Sequence, residues 1–258
     1  MDISSQEPQA VSAARVVVIT GAGTGIGRAT ARMFAANGDR VVAVGRRERL
    51  LRETAAGTEA ISPLVADITA AGAAERIVAG VVESHGRLDV LVHNAGIVQS
   101  ASLGTFTREL IESQLATNLV APVLLTQAAL PALEAGGGGV IVNVSTSVGQ
   151  RAWPGNSVYA ASKTALELLT RSWAVELAPR GIRVLAVAPG AVDTPIGEHQ
   201  GLSPERLAAV RDWQVAHTPL RRIGSPAEVA WAIVQLASPQ ASFVTGVVLP
   251  VDGGAVVA

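Results

Sequence analysis

The fold of this 258-residue chain is indicated most directly by one segment, Arg15-Val-Val-Val-Ile-Thr-Gly-Ala-Gly-Thr-Gly-Ile-Gly27. It opens with a β-branched run typical of a buried strand. Its glycines then have the spacing G-x3-G-x-G, at Gly21, Gly25 and Gly27, and residues 28–37 continue at helical period. Many loops are rich in glycine, so the strand before and the helix after carry the argument. In that order they aim backbone N–H groups and a helix N-terminus at a phosphate, which predicts a pyrophosphate site.

The alternation of strand and helix continues along the rest of the chain. Further strands are predicted at residues 40–45, 60–66, 88–93, 140–144, 182–188 and 247–249. Such alternation is typical of a parallel sheet covered by helices on both faces. We therefore expect the α/β class. The prediction is one Rossmann-type, doubly wound catalytic domain of about seven strands over residues 14–258, preceded by a flexible tail at residues 1–13.

Composition argues against several classes of function. The net charge is −1 without a basic block, which gives no support to nucleic-acid binding. No uninterrupted apolar run reaches the ~18 residues of a membrane span, and the polar first residues do not resemble a secretory signal. Four scattered histidines and no cysteine offer no metal pattern. A cysteine-free chain is compatible with the cytosol, so we expect a cytoplasmic protein without membrane, metal or nucleic-acid partners.

Tyr159-Ala-Ala-Ser-Lys163 holds the only tyrosine and the only lysine of the sequence. A spacing of four residues places both side chains on one face of a helix. A nearby ammonium favours the phenolate, so we expect Lys163 to lower the pKa of Tyr159 from its usual value of ~10. Such a phenol can donate a proton to a carbonyl oxygen or accept one from an alcohol. The alternative is an ordinary surface pair, the common role of this spacing.

The second predicted strand ends at Gly45-Arg46-Arg47. In a dinucleotide-binding sheet this end lies over the adenosine ribose, where a carboxylate binds the free 2′-hydroxyl of NAD(H). Guanidinium groups instead bind a 2′-phosphate, so Arg46 above all favours NADP(H), with NAD(H) as the alternative. The competing interpretation is that both arginines only open the next helix in solvent.

Two segments depart from the regular pattern. Residues 195–219 interrupt the alternation and carry Trp213 among apolar side chains at helical spacing. Long insertions after the carboxyl end of a strand often cover substrates, so we expect a substrate lid here; the alternative is a helix that only packs against the core.

Asn118 lies inside the apolar stretch 107–133, where it needs a polar partner or must distort the helix to reach one. His93, at a strand end, is expected to be a core histidine.

Six motifs occur in order along the chain: Thr20-Gly-x3-Gly-x-Gly27, Asp67, Asn94-Ala-Gly96, Asn118, Tyr159-x3-Lys163 and Pro189-Gly190. With them the chain resembles the short-chain dehydrogenase/reductase family, in its single-domain branch, over residues 14–254. Residues 221–226 and 252–254 also resemble bacterial 3-oxoacyl-carrier-protein-reductase-like members. The resemblance implies an oxidoreductase that interconverts a ketone or aldehyde and an alcohol by hydride transfer.

The resemblance also implies the roles of individual residues. Tyr159 acts as the general acid or base, Lys163 holds the nicotinamide ribose and tunes Tyr159, and Asn118 keeps a water in a proton relay. The other implied cofactor contacts, from the pyrophosphate past the adenine to the nicotinamide, are Gly21, Gly25, Ile26, Gly27, Asp67, Ile68, Asn94, Ala95, Gly96, Pro189, Gly190, Val192 and Thr194.

One catalytic position departs from the family. A serine that hydrogen-bonds the substrate oxygen normally stands thirteen residues before the tyrosine, and this chain has Thr146 there. A threonine hydroxyl keeps a donor and an acceptor, although its methyl group narrows the rotamers and crowds the pocket. We assign the role to Thr146, with the neighbouring Ser145 as the alternative.

The substrate prediction depends on what precedes the fifth strand and on two tryptophans. Family members that reduce carrier-bound substrates tend to have basic residues there, for docking an acidic carrier, whereas this chain has Glu134 and glycines at 136–139. Trp153 and Trp213 instead suggest a hydrophobic small-molecule carbonyl or alcohol.

These features together predict an NADP(H)-dependent oxidoreductase. The alternatives are an NAD-dependent alcohol dehydrogenase, a 3-oxoacyl-carrier-protein reductase, and a cofactor-binding regulator without turnover, for which the change to Thr146 is the only support. The family usually forms dimers or tetramers through helices that correspond to residues 107–133 and 157–178, so the resemblance implies a homotetramer or homodimer.

Overall fold

The computed structural model describes residues 14–147, 154–196 and 203–258. These residues contain seven strands: β1 Val16–Thr20, β2 Arg40–Gly45, β3 Ile61–Val65, β4 Val90–His93, β5 Gly139–Val144, β6 Ile182–Pro189 and β7 Val248–Val251. They form one sheet in the order β3-β2-β1-β4-β5-β6-β7, and each neighbouring pair is parallel. A parallel sheet is buried on both faces, and the apolar runs of the central strands suit that environment.

Eight α-helices lie within the described residues: α1 Gly25–Ala36, α2 Glu48–Ala55, α3 Ala73–His85, α4 Arg108–Leu115, α5 Ala121–Ala135, α6 Ser157–Leu177, α7 Pro204–Ala216 and α8 Pro226–Leu236. Successive side chains of a strand point to opposite faces. In β1, Val17 and Ile19 belong to the core shared with α1, α2 and α8, whereas Val16 and Val18 belong to the core shared with α3, α5 and α6. The predicted doubly wound α/β fold is therefore confirmed.

The strand order reverses beside β1, because β2 and β3 lie on one side of it and β4 to β7 on the other. Open parallel sheets bind ligands in the crevice at the carboxyl ends of the strands where the order reverses. β1 pairs with β4 from Val17 opposite Val90 to Ile19 opposite Val92. The glycine turn after β1 and the segment after β4 consequently meet at this crevice.

The helical run Arg108–Ala135 is apolar enough, by length and composition alone, to cross a membrane, with a hydropathy of 1.4. Polar and charged residues interrupt this run, so it contains no uninterrupted apolar stretch of that length. A core helix of a soluble protein passes the same test, so the finding is weak evidence for a membrane span. The run is not a single regular helix, because five residues of π-helix, Ala116–Val120, separate α4 from α5.

Candidate active site

The glycine turn forms a cradle at the carboxyl end of β1. Gly21 and Gly25 have φ angles of +66° and +52°, in the left-handed region that favours glycine. A Cβ at Gly27 would lie 2.4 Å from Asn94 Nδ2 and 2.4 Å from the Gly21 carbonyl oxygen. Helix α1 begins here, its N-cap residue Thr24 makes no side-chain cap, and its first turn holds no acidic residue. The N-terminal N–H groups of α1 are thus suited to a phosphate, so the residues fit the pyrophosphate of a dinucleotide.

Thr20 and Asn94 join the ends of β1 and β4 at this cradle. The Thr20 hydroxyl oxygen accepts from the backbone N–H of Asn94 at 3.1 Å and of Ala95 at 3.0 Å. The Asn94 amide donates to the carbonyls of Thr20 at 2.9 Å and Gly21 at 3.2 Å. Asn94 therefore supports the cradle itself, in addition to its predicted place along the cofactor. Sequence reasoning quoted Thr20 only as part of a motif and missed its role as the partner of this segment.

Arg28, on the first turn of α1, is a second supporting residue that sequence reasoning missed. Its guanidinium donates to the Gly23 carbonyl at 3.0 and 2.5 Å and pairs with Glu53 of α2 at 3.1 Å. These contacts fasten the glycine turn to α2. The charge of Arg28 is thereby shared with a carboxylate.

The predicted adenosine end lies where β2 and β3 terminate side by side. Gly45 is opposite Val65 in the sheet, so Arg46 and Asp67 follow at the same edge. Arg46 is exposed and, among the described residues, forms no ion pair. The backbone N–H and the hydroxyl of Thr69 donate to Asp67 at 2.9 and 2.7 Å. These hydrogen bonds, with a smaller contribution from the charge of Arg46, lower the pKa of the Asp67 carboxyl.

Ile68, the other predicted adenine neighbour, packs at the edge of the core between the sheet and α3. The two residues predicted to flank adenine therefore differ in character, one a held carboxylate and the other an apolar side chain.

Asn118 distorts its helix and binds backbone, as its place in an apolar helix predicts. It lies in the π-helical segment and is fully buried. Its amide oxygen accepts from the Ile97 N–H at 2.9 Å, and its amide nitrogen donates to the Ile97 carbonyl at 2.9 Å. The same nitrogen is 3.2 Å from the Ser162 hydroxyl, on α6. A Cβ at Gly96 would lie 3.3 Å from Lys163 Nζ and 3.4 Å from Asn118 Oδ1, so the segment after β4 runs between these two side chains.

Tyr159 and Lys163 lie on the first turns of α6, with Tyr159 half-buried and Lys163 buried. The Lys163 ammonium donates to the Val144 carbonyl at 2.8 Å, and burial lowers its pKa to about 8. Burial also raises the pKa of the Tyr159 phenol above its ordinary value, while a hydrogen bond with the side chain of Thr146 acts in the opposite direction. The expectation that Lys163 lowers the pKa of Tyr159 overall is wrong for this structure, because burial outweighs the other effects and the ammonium is directed at Val144.

The two candidate hydroxyls after β5 are held differently. Thr146 is buried and its side chain hydrogen-bonds Tyr159. Ser145 donates instead to the Glu167 carboxylate at 2.7 Å and approaches the Lys163 carbonyl at 3.4 Å. The residue in contact with Tyr159 is thus Thr146, as the spacing of thirteen residues suggests, and Ser145 is engaged elsewhere.

The predicted nicotinamide residues begin at Pro189, the last residue of β6, and continue into the segment that follows it. A Cβ at Gly190 would lie 2.7 Å from the Asp252 Cα, so the chain needs glycine where it passes the turn after β7. Val192 forms a parallel bridge with Gly224. Thr194 then reaches the cradle, because its Cγ2 would be 3.1 Å from a Cβ at Gly25. The segments predicted to bind the pyrophosphate and the nicotinamide therefore meet.

Most of the described part of the predicted lid is helix α7, which lies at the surface. None of its residues is buried, and Arg211 ties it to Asp193 through a 2.7 Å ion pair. Trp213 is 44% exposed, and its ring stacks on His217 with the ring centroids 4.1 Å apart. An exposed helix of this kind does not resemble a core-packing helix. Trp153, the other predicted substrate neighbour, and residues 197–202 lie outside the described residues.

His93 is a core residue, as its position at a strand end suggests. It is 2% exposed, and its Nε2 is 2.8 Å from the Thr126 hydroxyl. Burial, helped by the charge of Lys163, lowers its pKa to about 3, so the ring is neutral near pH 7. No cluster of three or more potential metal ligands occurs in the part of the chain that the structure describes.

Comparison with known proteins extends over nearly the whole chain. A family model described as enoyl-(acyl carrier protein) reductase matches residues 21–256. The 3-oxoacyl-[acyl-carrier-protein] reductase of Thermotoga maritima is 40% identical over 247 residues, which cover 94% of this chain and 98% of that protein. The 2-(R)-hydroxypropyl-CoM dehydrogenase of Xanthobacter autotrophicus is 38% identical over 247 residues, covering 93% and 97%.

A solved structure is also similar to nearly the whole chain. The crystal structure of a 3-ketoacyl-(acyl-carrier-protein) reductase from Brucella melitensis complexed with NADH is similar to this chain with a TM-score of 0.87 and 32% sequence identity. The similarity covers 94% of this chain and 98% of that one. The range matched by the family model, residues 21–256, includes the glycine cradle, Tyr159 and the segment after β6.

Proposed function

This chain belongs to the short-chain dehydrogenase/reductase family of oxidoreductases, and we propose that it interconverts a hydrophobic ketone or aldehyde and the corresponding alcohol with NADP(H). The observation that carries the proposal is the arrangement at the carboxyl end of β5. There the Thr146 side chain hydrogen-bonds the Tyr159 phenol, and the buried Lys163 ammonium lies one helical turn away. A proton donor, a neighbouring hydroxyl and a positive charge together suit the protonation of a carbonyl oxygen during its reduction.

When bound, a nicotinamide cofactor supplies a hydride to the carbonyl carbon or removes one from the alcohol carbon. Tyr159 moves the matching proton, which it donates to the carbonyl oxygen in reduction and accepts from the hydroxyl in oxidation. The Thr146 hydroxyl, already bonded to the phenol, orients the same substrate oxygen. With a pKa of about 8, Lys163 is largely protonated at pH 7. Its charge, one helical turn from Tyr159, favours the phenolate that forms as the proton leaves, although it does not offset the effect of burial on the pKa of Tyr159.

The residues that would hold the cofactor are those of the glycine cradle and its neighbours. Gly21, Gly25, Ile26 and Gly27, with the N–H groups that begin α1, suit the pyrophosphate. We assign the nicotinamide ribose to Lys163 and the carboxamide end to the segment from Pro189 to Thr194.

Preference for NADP(H) is supported by Arg46, an exposed guanidinium directly after β2. A 2′-phosphate would gain charge-assisted hydrogen bonds from it. NAD(H) is the alternative, favoured by the NADH complex of the Brucella melitensis reductase. Asp67 also bears on this choice, because its negative charge lies near Arg46 and opposes a second anion.

A small hydrophobic substrate is supported by the surface around β5. Arg180, the basic residue beside the start of this strand, is ion-paired with Glu134. An acidic carrier protein would therefore meet a neutralised pair and the glycines of residues 136–139. Reduction of a 3-oxoacyl group on a carrier remains the second candidate, because the similarity to the Thermotoga maritima reductase favours it. Turnover of carrier-bound and free 3-oxo substrates, measured side by side, distinguishes the two.

We also propose a cytoplasmic homotetramer or homodimer. Helices α5 and α6 expose large apolar side chains, with Leu124 at 49%, Leu168 at 61% and Val175 at 78%. Burial of these side chains between copies would remove apolar surface from water. Light scattering of the purified protein would show whether it is larger than a monomer.

Replacing Tyr159 by phenylalanine tests the proposed chemistry most directly. The variant keeps the ring and removes the transferable proton, so kcat should fall by about 10²–10⁴-fold. Cofactor affinity, followed through the fluorescence of the four tryptophans, should stay near the wild-type value. Turnover at the wild-type rate would contradict the proposed role of Tyr159. A wild-type protein that binds cofactor but turns over no carbonyl or alcohol would instead favour a regulator.

A further inference from the structure

Three buried hydrogen bonds join α6 to β5 and to Ser145, the residue that follows it. They pair Lys163 Nζ with the Val144 carbonyl at 2.8 Å, Glu167 Oε1 with the Ser145 hydroxyl at 2.7 Å, and Thr170 Oγ1 with Asn143 Nδ2 at 2.8 Å. We name this set the α6–β5 seam. On the helix its members are four and three residues apart, the spacing that places side chains on one face.

The middle bond of the seam lies directly beside Thr146. Ser145 is the residue before Thr146, and its backbone N–H donates to the Val187 carbonyl of β6 at 2.7 Å. Its hydroxyl donates a hydrogen bond to the carboxylate of Glu167, on helix α6. The backbone that leads into Thr146 is therefore held from β6 on one side and from α6 on the other.

Burial of the Glu167 carboxylate at this position costs free energy. The residue is 4% exposed, and a buried carboxylate loses the hydration that water would give it. An apolar residue in the same place would often be no less stable. The position therefore suggests that the bond to Ser145 serves something besides stability.

We propose that Ser145 and Glu167 are positioning residues, whose hydrogen bond fixes the end of β5 so that the Thr146 hydroxyl meets the Tyr159 phenol. The inference rests on the proposed function, because it assigns these residues to the same proton transfer. Tyr159 belongs to α6 and Thr146 follows β5, so any slip of the helix along the strand separates the two hydroxyls. A bond between Glu167 and Ser145 resists that slip at the residue next to Thr146.

The structure provides a matched control within the same seam. The bond between Asn143 and Thr170 has nearly the same length, and both residues are fully buried. It lies further from Thr146 along the strand. If the seam only stabilised the fold, loss of either bond would affect turnover alike. If the bond at Ser145 positions Thr146, only its loss should reduce turnover.

The test compares Ser145→Ala/Glu167→Met with Thr170→Val in the full-length protein. Replacing both partners of the middle bond leaves no buried carboxylate without a donor, so the double variant should fold with a Tm near that of wild type. Its kcat should nevertheless fall about tenfold, the loss expected from misplaced catalytic groups, while KM and the cofactor dissociation constant stay unchanged. Thr170→Val should lower Tm and keep kcat within about twofold of wild type. Ser145→Thr, with Glu167 retained, keeps a hydroxyl that can donate to the carboxylate and should keep most of the wild-type rate.

A second readout needs no turnover, because Tyr159 is the only tyrosine. Phenolate absorbance against pH reports its pKa alone. Thr146, which follows β5, hydrogen-bonds the phenol. Lys163 and Glu167 are titratable groups of the same helix, and His93 on β4 interacts electrostatically with Lys163. Loss of the Thr146 hydrogen bond should raise the pKa of Tyr159 in the double variant. Removing the carboxylate charge of Glu167 would lower it, so a rise identifies the lost hydrogen bond.

Two results would overturn the positioning role: a lowered Tyr159 pKa in the double variant, which would show that the Thr146 hydrogen bond persists, or equal losses of kcat in the double variant and Thr170→Val. A wild-type protein without carbonyl or alcohol turnover would instead refute the proposed function. The absorbance titration would still decide between a positioned and an unpositioned Thr146, so the two failures are distinguishable.

Discussion

The two ends of the proposed cofactor crevice are built in different ways. At the end formed by β5 and α6, Lys163 is 4% exposed and Thr146 is 6% exposed, and each is hydrogen-bonded to a residue from another element. At the end formed by β2 and β3, Arg46 is exposed, and Asp67 accepts its hydrogen bonds from Thr69, two residues further along the chain. Chemistry at the buried end depends on many tertiary contacts at once. Selectivity at the exposed end depends on single charges that can change without disturbing the fold.

The largest effect should follow a change of Lys163 at the buried end. Lys163→Met keeps the length of the side chain and removes the charge, so kcat/KM should fall by about 10³-fold or more. The variant should not lose thermal stability, because it no longer buries an ammonium. Steady-state kinetics and a thermal melt check both expectations. Activity within tenfold of wild type would show that the charge at this end is not needed.

A somewhat smaller effect is expected from Thr146. Thr146→Val keeps the shape and removes the hydroxyl, so kcat should fall by about 10²-fold. Thr146→Ser keeps the hydroxyl and should stay within about threefold of wild type. Comparing the two variants separates the effect of the hydroxyl on kcat from the effect of the methyl group. If Thr146→Val were as active as wild type, another group would have to orient the substrate oxygen.

The same contrast explains what could be predicted from sequence. The strand–turn–helix around Gly21, the spacing of Tyr159 and Lys163, and the position of Thr146 are local patterns, and the structure places all of them at one crevice. That Asn118 would form a hydrogen bond was also predictable, because an amide in an apolar helix must find a polar partner. Its actual partner, Ile97, is set by tertiary packing and could not be named.

Contacts between distant residues were not predictable from these patterns. Thr20 binds the backbone of Asn94, 74 residues later, only because β1 and β4 are neighbours in the sheet. The partner of Ser145 likewise follows from how α6 lies on β5. For the same reason the pKa of Tyr159 was misjudged: spacing shows that Lys163 is near, but not that burial dominates and that the ammonium points at Val144.

At the exposed end, Arg46→Glu should change cofactor choice and leave the fold intact. A carboxylate repels a 2′-phosphate and can bind a free 2′-hydroxyl, so the ratio of NADPH to NADH affinity should fall by about 10–100-fold. Arg47→Ala, the neighbouring arginine, serves as the control and should alter the ratio by less than about threefold. Paired fluorescence titrations measure both. An unchanged ratio in Arg46→Glu would mean that Arg46 only opens α2 in solvent.

The smallest effect concerns stability against pH, and it returns to the buried end. Lys163 has a pKa of about 8 in the folded protein, against an ordinary value of 10.5. Between these values the unfolded chain binds more protons than the folded one, so the free energy of unfolding rises with pH. For Lys163 alone the rise from pH 8 to pH 9 should be about 1 kcal/mol.

The raised pKa of Tyr159 acts in the opposite direction, but only near and above the ordinary phenol value of ~10. Urea unfolding of wild type and Lys163→Met at both pH values isolates the contribution, because other titrating groups are shared. Parallel pH dependences in the two proteins would show that burial does not lower the pKa of Lys163. The buried and exposed ends of the crevice would then not differ in how strongly burial affects their charged groups.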